Sequence, residues 1–237
     1  MKDLRGLWDF QDPAASEVRF REYLPQSGDQ RHEVLCQIAR TYGLRKQFDL
    51  AEEILEEVLD EWDTASERAR VCFLLELGRI RNSSGDPAAA KPIFLEALGE
   101  FRQEVDLKVD VMHMLGIVET GDESLRWNLE AIAIAEASDD PKARRWLASL
   151  LNNTAWSLHD LNRYDEALAL FERAVPIREA MGQAEPLHVA KWAVARCKRS
   201  LGRYDEALFE QRAIYEPDKP QPYVNEEIGE NLWALGR

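Results

Sequence analysis

Ala155-Trp156-Ser157-Leu158-His159-Asp160-Leu161-Asn162-Arg163-Tyr164-Asp165-Glu166-Ala167-Leu168, running on to Phe171 and Ala174, decides the fold of this chain. It reads as a helical hairpin: helix A, a short turn, then helix B. A second copy is Ser200-Leu201-Gly202-Arg203-Tyr204-Asp205-Glu206-Ala207-Leu208. One hairpin cannot bury its apolar face alone, so repeated copies must stack on their neighbours.

Ala167 serves as an anchor, a small residue where two helices approach closely. Equivalent positions fall at Ser16, Ala51, Ala90, Asn128, Ala167 and Ala207, with spacings of 35, 39, 38, 39 and 40. Four residues after each anchor stand Phe20, Leu55, Phe94, Ile132, Phe171 and Gln211. Three before five of the anchors, and seven after all six, further apolar or aromatic positions complete one helical stripe. Twelve before them, the small residues Ala39, Gly78, Gly116, Ala155 and Ala195 mark helix A. Asp12-Pro13 and Asp86-Pro87 place a capping acid before a proline that starts helix B. Asp140-Pro141 and Glu185-Pro186 are expected to open A helices in a similar way. Gly85, Gly121 and Gly202 are expected to stop helices.

Bulk chemistry narrows the function. The 30 basic and 44 acidic residues give a net charge of −14, which argues against nucleic acid as a partner because phosphate binding needs Lys and Arg. Cys36, Cys72 and Cys197 lie far apart in apolar helical stretches and form no zinc pattern, so buried free thiols in a reducing compartment are expected. No apolar leader opens the sequence, and no run approaches the ~18 apolar residues of a membrane span. A cytoplasmic location and no membrane partner follow as expectations. His32, His113, His159 and His188 form no HExxH, and no P-loop or GxSxG is present. No enzyme activity, cofactor or metal site is expected.

The pattern resembles the tetratricopeptide repeat, on Leu77-Gly78 with Ala90 and Phe94, and on Ala155, Tyr164, Ala167 and Phe171. The period exceeds the family's usual ~34 residues, as in the kinesin light chain type of repeat. The resemblance implies an all-α fold, a right-handed α–α superhelix of about 12 or 13 antiparallel helices with no sheet. One solenoid over residues 1–237 is expected. It would hold a partial unit at 1–25, units at about 29–62, 66–102, 106–138, 142–181 and 185–216, and a capping helix at 220–237. Leu4–Phe10 would be a shortened helix A, with Trp8 covering the open end.

The family lines its concave groove mainly with helix A. Carried onto this sequence, the groove holds Arg40, Arg79, Asn82, His113, Asn152, Asn153, Trp156, His159, Trp192, Arg196 and Arg199, with Ser149 beside them. Asparagines can clamp a peptide backbone, arginines can grip carboxylates, and tryptophans supply flat apolar area. The implied function is a non-catalytic scaffold holding an extended peptide or partner helix. Self-assembly through an open C-terminal end, using Ile228, Leu232 and Trp233 to make a homodimer, stays open beside it. The family's chaperone-tail clamp needs helix A lysines and asparagines in a register that no three consecutive units here provide.

Overall fold

Ser16, Ala51, Ala90, Asn128, Ala167 and Ala207 are all buried, and so are the six residues four positions after them. That is the packing the stripe demands: a small residue lets the helices approach, and a large one fills the space behind it. Gly78 shows how close the approach is. A Cβ placed there would lie 2.3 Å from Cε1 of Phe94, which is itself fully buried.

The computed structural model describes residues 3–100, 104–219 and 221–237. Among them every regular element is helical, with no strand. The first compact unit, Met1–Thr120, holds α1 (Pro13–Tyr23), α2 (Arg31–Leu44), α3 (Phe48–Asp60), α4 (Glu67–Ser83), α5 (Pro87–Gly99) and α6 (Val105–Val118). The second, Gly121–Arg237, holds α7 (Gly121–Ala137), α8 (Pro141–Arg144), α9 (Leu147–Asp160), α10 (Tyr164–Ala180), α11 (Ala184–Ser200), α12 (Tyr204–Ile214) and α13 (Pro222–Ala234). The division falls inside the third repeat, between its helices A and B. The expected limits at 1, 102 and 220 lie outside the described residues.

Local chemistry sets the helix ends. Asp12 and Asp86 each accept a hydrogen bond from the backbone N–H three residues on, at 2.9 Å, and a proline follows at the first helical position. Five A helices end in one turn. Lys46, Gly85, Asn162, Gly202 and Gly236 take left-handed φ values of 60°, 97°, 60°, 75° and 67°. The next residue's N–H then reaches the carbonyl five back, as in Arg163 to Leu158 at 2.9 Å and Arg203 to Lys198 at 3.0 Å.

Three expectations need correction. Gly121 opens α7 instead of stopping α6, which ends with Glu119 N–H on Leu115 O, a plain helical bond of 3.0 Å. Asp140-Pro141 opens only the single turn α8, and α9 begins at Leu147; Glu185-Pro186 lies inside the first turn of α11, after Gln183. Leu4–Leu7 is a 3-10 turn, too short for a helix A. Trp8 nevertheless lies edge-on to Phe20 at 5.2 Å and packs on the buried cluster of Phe20, Val34 and Ile38.

Candidate peptide-binding face

In the first unit the A helices α2, α4 and α6 are joined by ions. Arg40 Nη1 donates to Glu76 Oε1 at 3.2 Å, and Arg79 donates to the same carboxylate and to Asp110 Oδ1 at 2.5 Å. One helical end away, Arg68 binds Glu33 at 3.1 Å and grips Asp106 with two nitrogens at 3.1 and 3.0 Å. Glu33, Glu76 and Asp110 are buried. Burial by itself would lower the Arg79 pKa; the charges of Asp110 and Glu76 overcome it and raise the pKa above the ordinary arginine value. Arg40 and Arg79, two of the expected groove residues, therefore already hold carboxylates of their own chain. Asn82 is half-buried on α4 and His113 is buried on α6.

The second unit builds its A-helix face from rings. Trp156 on α9 lies 5.8 Å from Trp192 on α11, and Trp192 meets Tyr223 of α13 edge-on at 5.6 Å. Phe171 supports Trp156 from below at 4.9 Å. Trp156 and Trp192 are half-buried and Tyr223 is exposed, so the run stays open to solvent along one side. Beside it, His159 Nε2 and Ser200 Oγ are 2.9 Å apart, and Arg196 Nη1 donates to the same hydroxyl at 2.7 Å. Arg196 and Arg199 share Glu227, a buried carboxylate on α13, at 2.9 and 2.6 Å. Burial, then the positive charge of Arg196, holds the His159 pKa below the usual imidazole value. Neutral imidazole is therefore favoured near neutral pH.

Asn152 and Asn153 lie one turn before Trp156 on α9, half-buried, and Asn152 Nδ2 donates a 3.2 Å hydrogen bond to Asn153 Oδ1. Ser149, a further turn back, accepts a hydrogen bond from Arg178 Nη2 at 3.1 Å. The second unit thus brings together Asn152, Asn153, Trp156, His159, Trp192, Arg196 and Arg199, while Arg40, Arg79, Asn82 and His113 lie in the first.

Sequence reasoning missed Tyr223, Glu227 and Arg178. Arg196 and Glu227 are 31 residues apart, the separation of Arg79 and Asp110, a regularity that shows only once the structure has paired them. Arg178 escaped because it is on helix B. The helices α10, α11 and α12 also enclose a cleft of about 360 Å³ walled by Val175, Pro176, Val194, Ala213 and Ile214. Lys198 lies in it, paired to Glu210 at 2.5 Å, and no expected groove residue lines it. Cys36, Cys72 and Cys197 are free and buried, and burial pushes the Cys197 thiol up to about 11. No group of three metal-ligating side chains and no helix long and apolar enough to cross a membrane occurs among the described residues.

Residues 32–61 and 111–180 match family profiles described as tetratricopeptide repeat. The hairpins of those two stretches are tetratricopeptide repeats. Solved structures agree on the fold of such repeats. One is BtubC (BKLC) from P. vanneervenii, with a TM-score of 0.63 at 16% identity, covering 93% of this chain and 96% of that one. Another is the nearly identical TPR-like repeats of a Podosopora anserina protein provisionally described as a kinesin light chain. Its TM-score is 0.59 at 21% identity, covering 78% of this chain and 95% of that one. A point-substituted form of the Podosopora anserina repeats gives 0.60 at 19% identity, covering 78% of this chain and 93% of that one. No curated protein matches the sequence. Tetratricopeptide repeats are in general protein-interaction scaffolds without catalysis.

Proposed function

We propose that this chain is a non-catalytic scaffold that lays an extended peptide along the A-helix face of its second unit. The observation that carries this reading is the run Trp156–Trp192–Tyr223, half-open to solvent and flanked by Asn152 and Asn153. Large flat rings with part of their surface still open supply apolar contact area, and Trp and Tyr are the residue types enriched at binding hot spots. Neighbouring amides can donate to and accept from a peptide backbone without demanding a particular sequence. Buried free thiols fit a reducing compartment, so the cytoplasm is the proposed location.

The test is capture from native lysate by the intact chain and by Asn152→Ala/Asn153→Ala/Trp192→Ser, with helicity matched. Arg196 is left alone because it is paired with the buried Glu227, and its removal would disturb the α11–α13 packing as well as the face. A protein held by the first and lost by the second supports the reading; identical capture by both defeats it. A second reading is self-association through α13, where Trp233 is 82% exposed beside half-buried Ile228 and Leu232. A mass that rises with concentration, and stays monomeric in Trp233→Ala, would favour it.

A further inference from the structure

Arg178 stands apart from the arginines that bridge the A helices. Arg40, Arg68, Arg79, Arg196 and Arg199 all hold carboxylates. Arg178, half-buried in the last turn of α10, makes no ion pair with any described residue, and its guanidinium meets only the Ser149 hydroxyl. Burial lowers its pKa and no nearby carboxylate acts against that. Arg178 thus differs from the bridging arginines in keeping guanidinium donors that none of the chain's own carboxylates occupies.

Its surroundings suit an anion. A guanidinium has five N–H donors, and the Ser149 bond uses one nitrogen, leaving donors able to grip a carboxylate in parallel. Asn152 and Asn153 lie three and four residues beyond Ser149, on its side of α9. In their mutual bond Asn152 donates, so both amide N–H groups of Asn153 stay outside it. Trp156 follows within the next turn and supplies the apolar wall.

We infer that Ser149, Asn152, Asn153 and Arg178 form a carboxylate subsite, so that the bound segment carries an acidic group beside a residue that packs on Trp156. This rests on the peptide-binding reading and makes it specific. The cation comes from helix B, unlike the helix A lysines of the chaperone-tail clamp. The carboxylate could be an acidic side chain or a peptide's own C-terminus.

The experiment selects random twelve-residue peptides in two display formats, embedded and with a free C-terminus, against the full chain. Selected peptides are then measured against the intact chain, Arg178→Lys and Arg178→Gln. Acidic residues should be enriched in one format, which identifies the source of the carboxylate. Arg178→Gln should weaken binding about tenfold or more, with partial rescue in Arg178→Lys. Replacing the peptide's acid by its amide should cost the intact chain as much and Arg178→Gln little, a comparison that needs no folded-state assumption about the variant. Peptides without acidic preference, bound equally by Arg178→Gln but lost on Asn152→Ala/Asn153→Ala/Trp192→Ser, would overturn the subsite and leave the groove. Selection of no peptide at all would overturn both.

Discussion

Two halves written in one repeat grammar both tie A helices together with buried ion pairs, and the second adds a bridge of rings. The contrast is visible at a single position, the residue after the small residue of helix A. In the first unit it is Arg40 and Arg79, each donating to buried carboxylates of the next A helix. In the second it is Trp156 and then Arg196: a ring against a ring, followed by an ion pair to Glu227. Ionic bridges consume the groups that could meet a ligand, because a buried carboxylate must keep its cation. Aromatic bridges leave one ring face uncommitted. The lesson is that groove position alone does not make a binding residue; what the neighbouring repeat offers decides it.

Breaking the ionic bridge is the severest test of that contrast. Glu76→Ala removes the carboxylate shared by Arg40 and Arg79 and should cost about 3–5 kcal/mol, read by urea unfolding with exchange protection followed in each unit. Protection should fall in α2, α4 and α6 first. A loss below about 1 kcal/mol would show that the ladder is incidental.

Gly78→Ala tests the grammar the two halves share. Its Cβ would strike the Phe94 ring, so a loss of about 2 kcal/mol is expected in the same unfolding assay. At the matching position the second unit already has Ala155, so Ala155→Gly should cost only about 1 kcal/mol.

A pH difference sharpens the comparison further. His159 has a folded pKa below its unfolded value of about 6.5, so its contribution is full above that pH and is lost as pH falls through the folded value. Arg196 and Arg199 oppose its protonation and Asp160 favours it. Melting from pH 7.5 to pH 5 should show a drop specific to the second unit that His159→Gln removes. An unchanged drop in the variant would assign it elsewhere.

The smallest effect concerns Lys46, a non-glycine residue in the left-handed turn that glycine occupies at Gly85, Gly202 and Gly236. Lys46→Gly should stabilise the first unit by about 0.5 kcal/mol in thermal melts, relief of strain being partly offset by a more flexible unfolded chain.

Much of the architecture was legible because it is periodic. The anchors, the stripe behind them and the Asp-Pro starts are short-range patterns, and one helix carries all the information each needs. The 3-10 turn at Leu4–Leu7 and the single-turn α8 were not legible, because several local conformations fit the same residues. Nor was the division of labour among the arginines. Arg79 to Asp110 and Arg40 to Glu76 span 31 and 36 residues, and only packing selects those acids from 44. The grouping of Asn152, Asn153 and Trp156 could be read because all three lie on α9, whereas Arg178 reaches their neighbour Ser149 from α10.

The buried cysteines have a practical consequence. Cys36 and Cys72 are held protonated by burial even more strongly than Cys197, so none of the three offers a ready thiolate. The native chain is therefore a quiet background for maleimide chemistry. A single new cysteine at an exposed site such as Asp160 would take a dye alone, and peptide docking on the Trp156–Trp192 face could be followed beside it by fluorescence without removing a native cysteine.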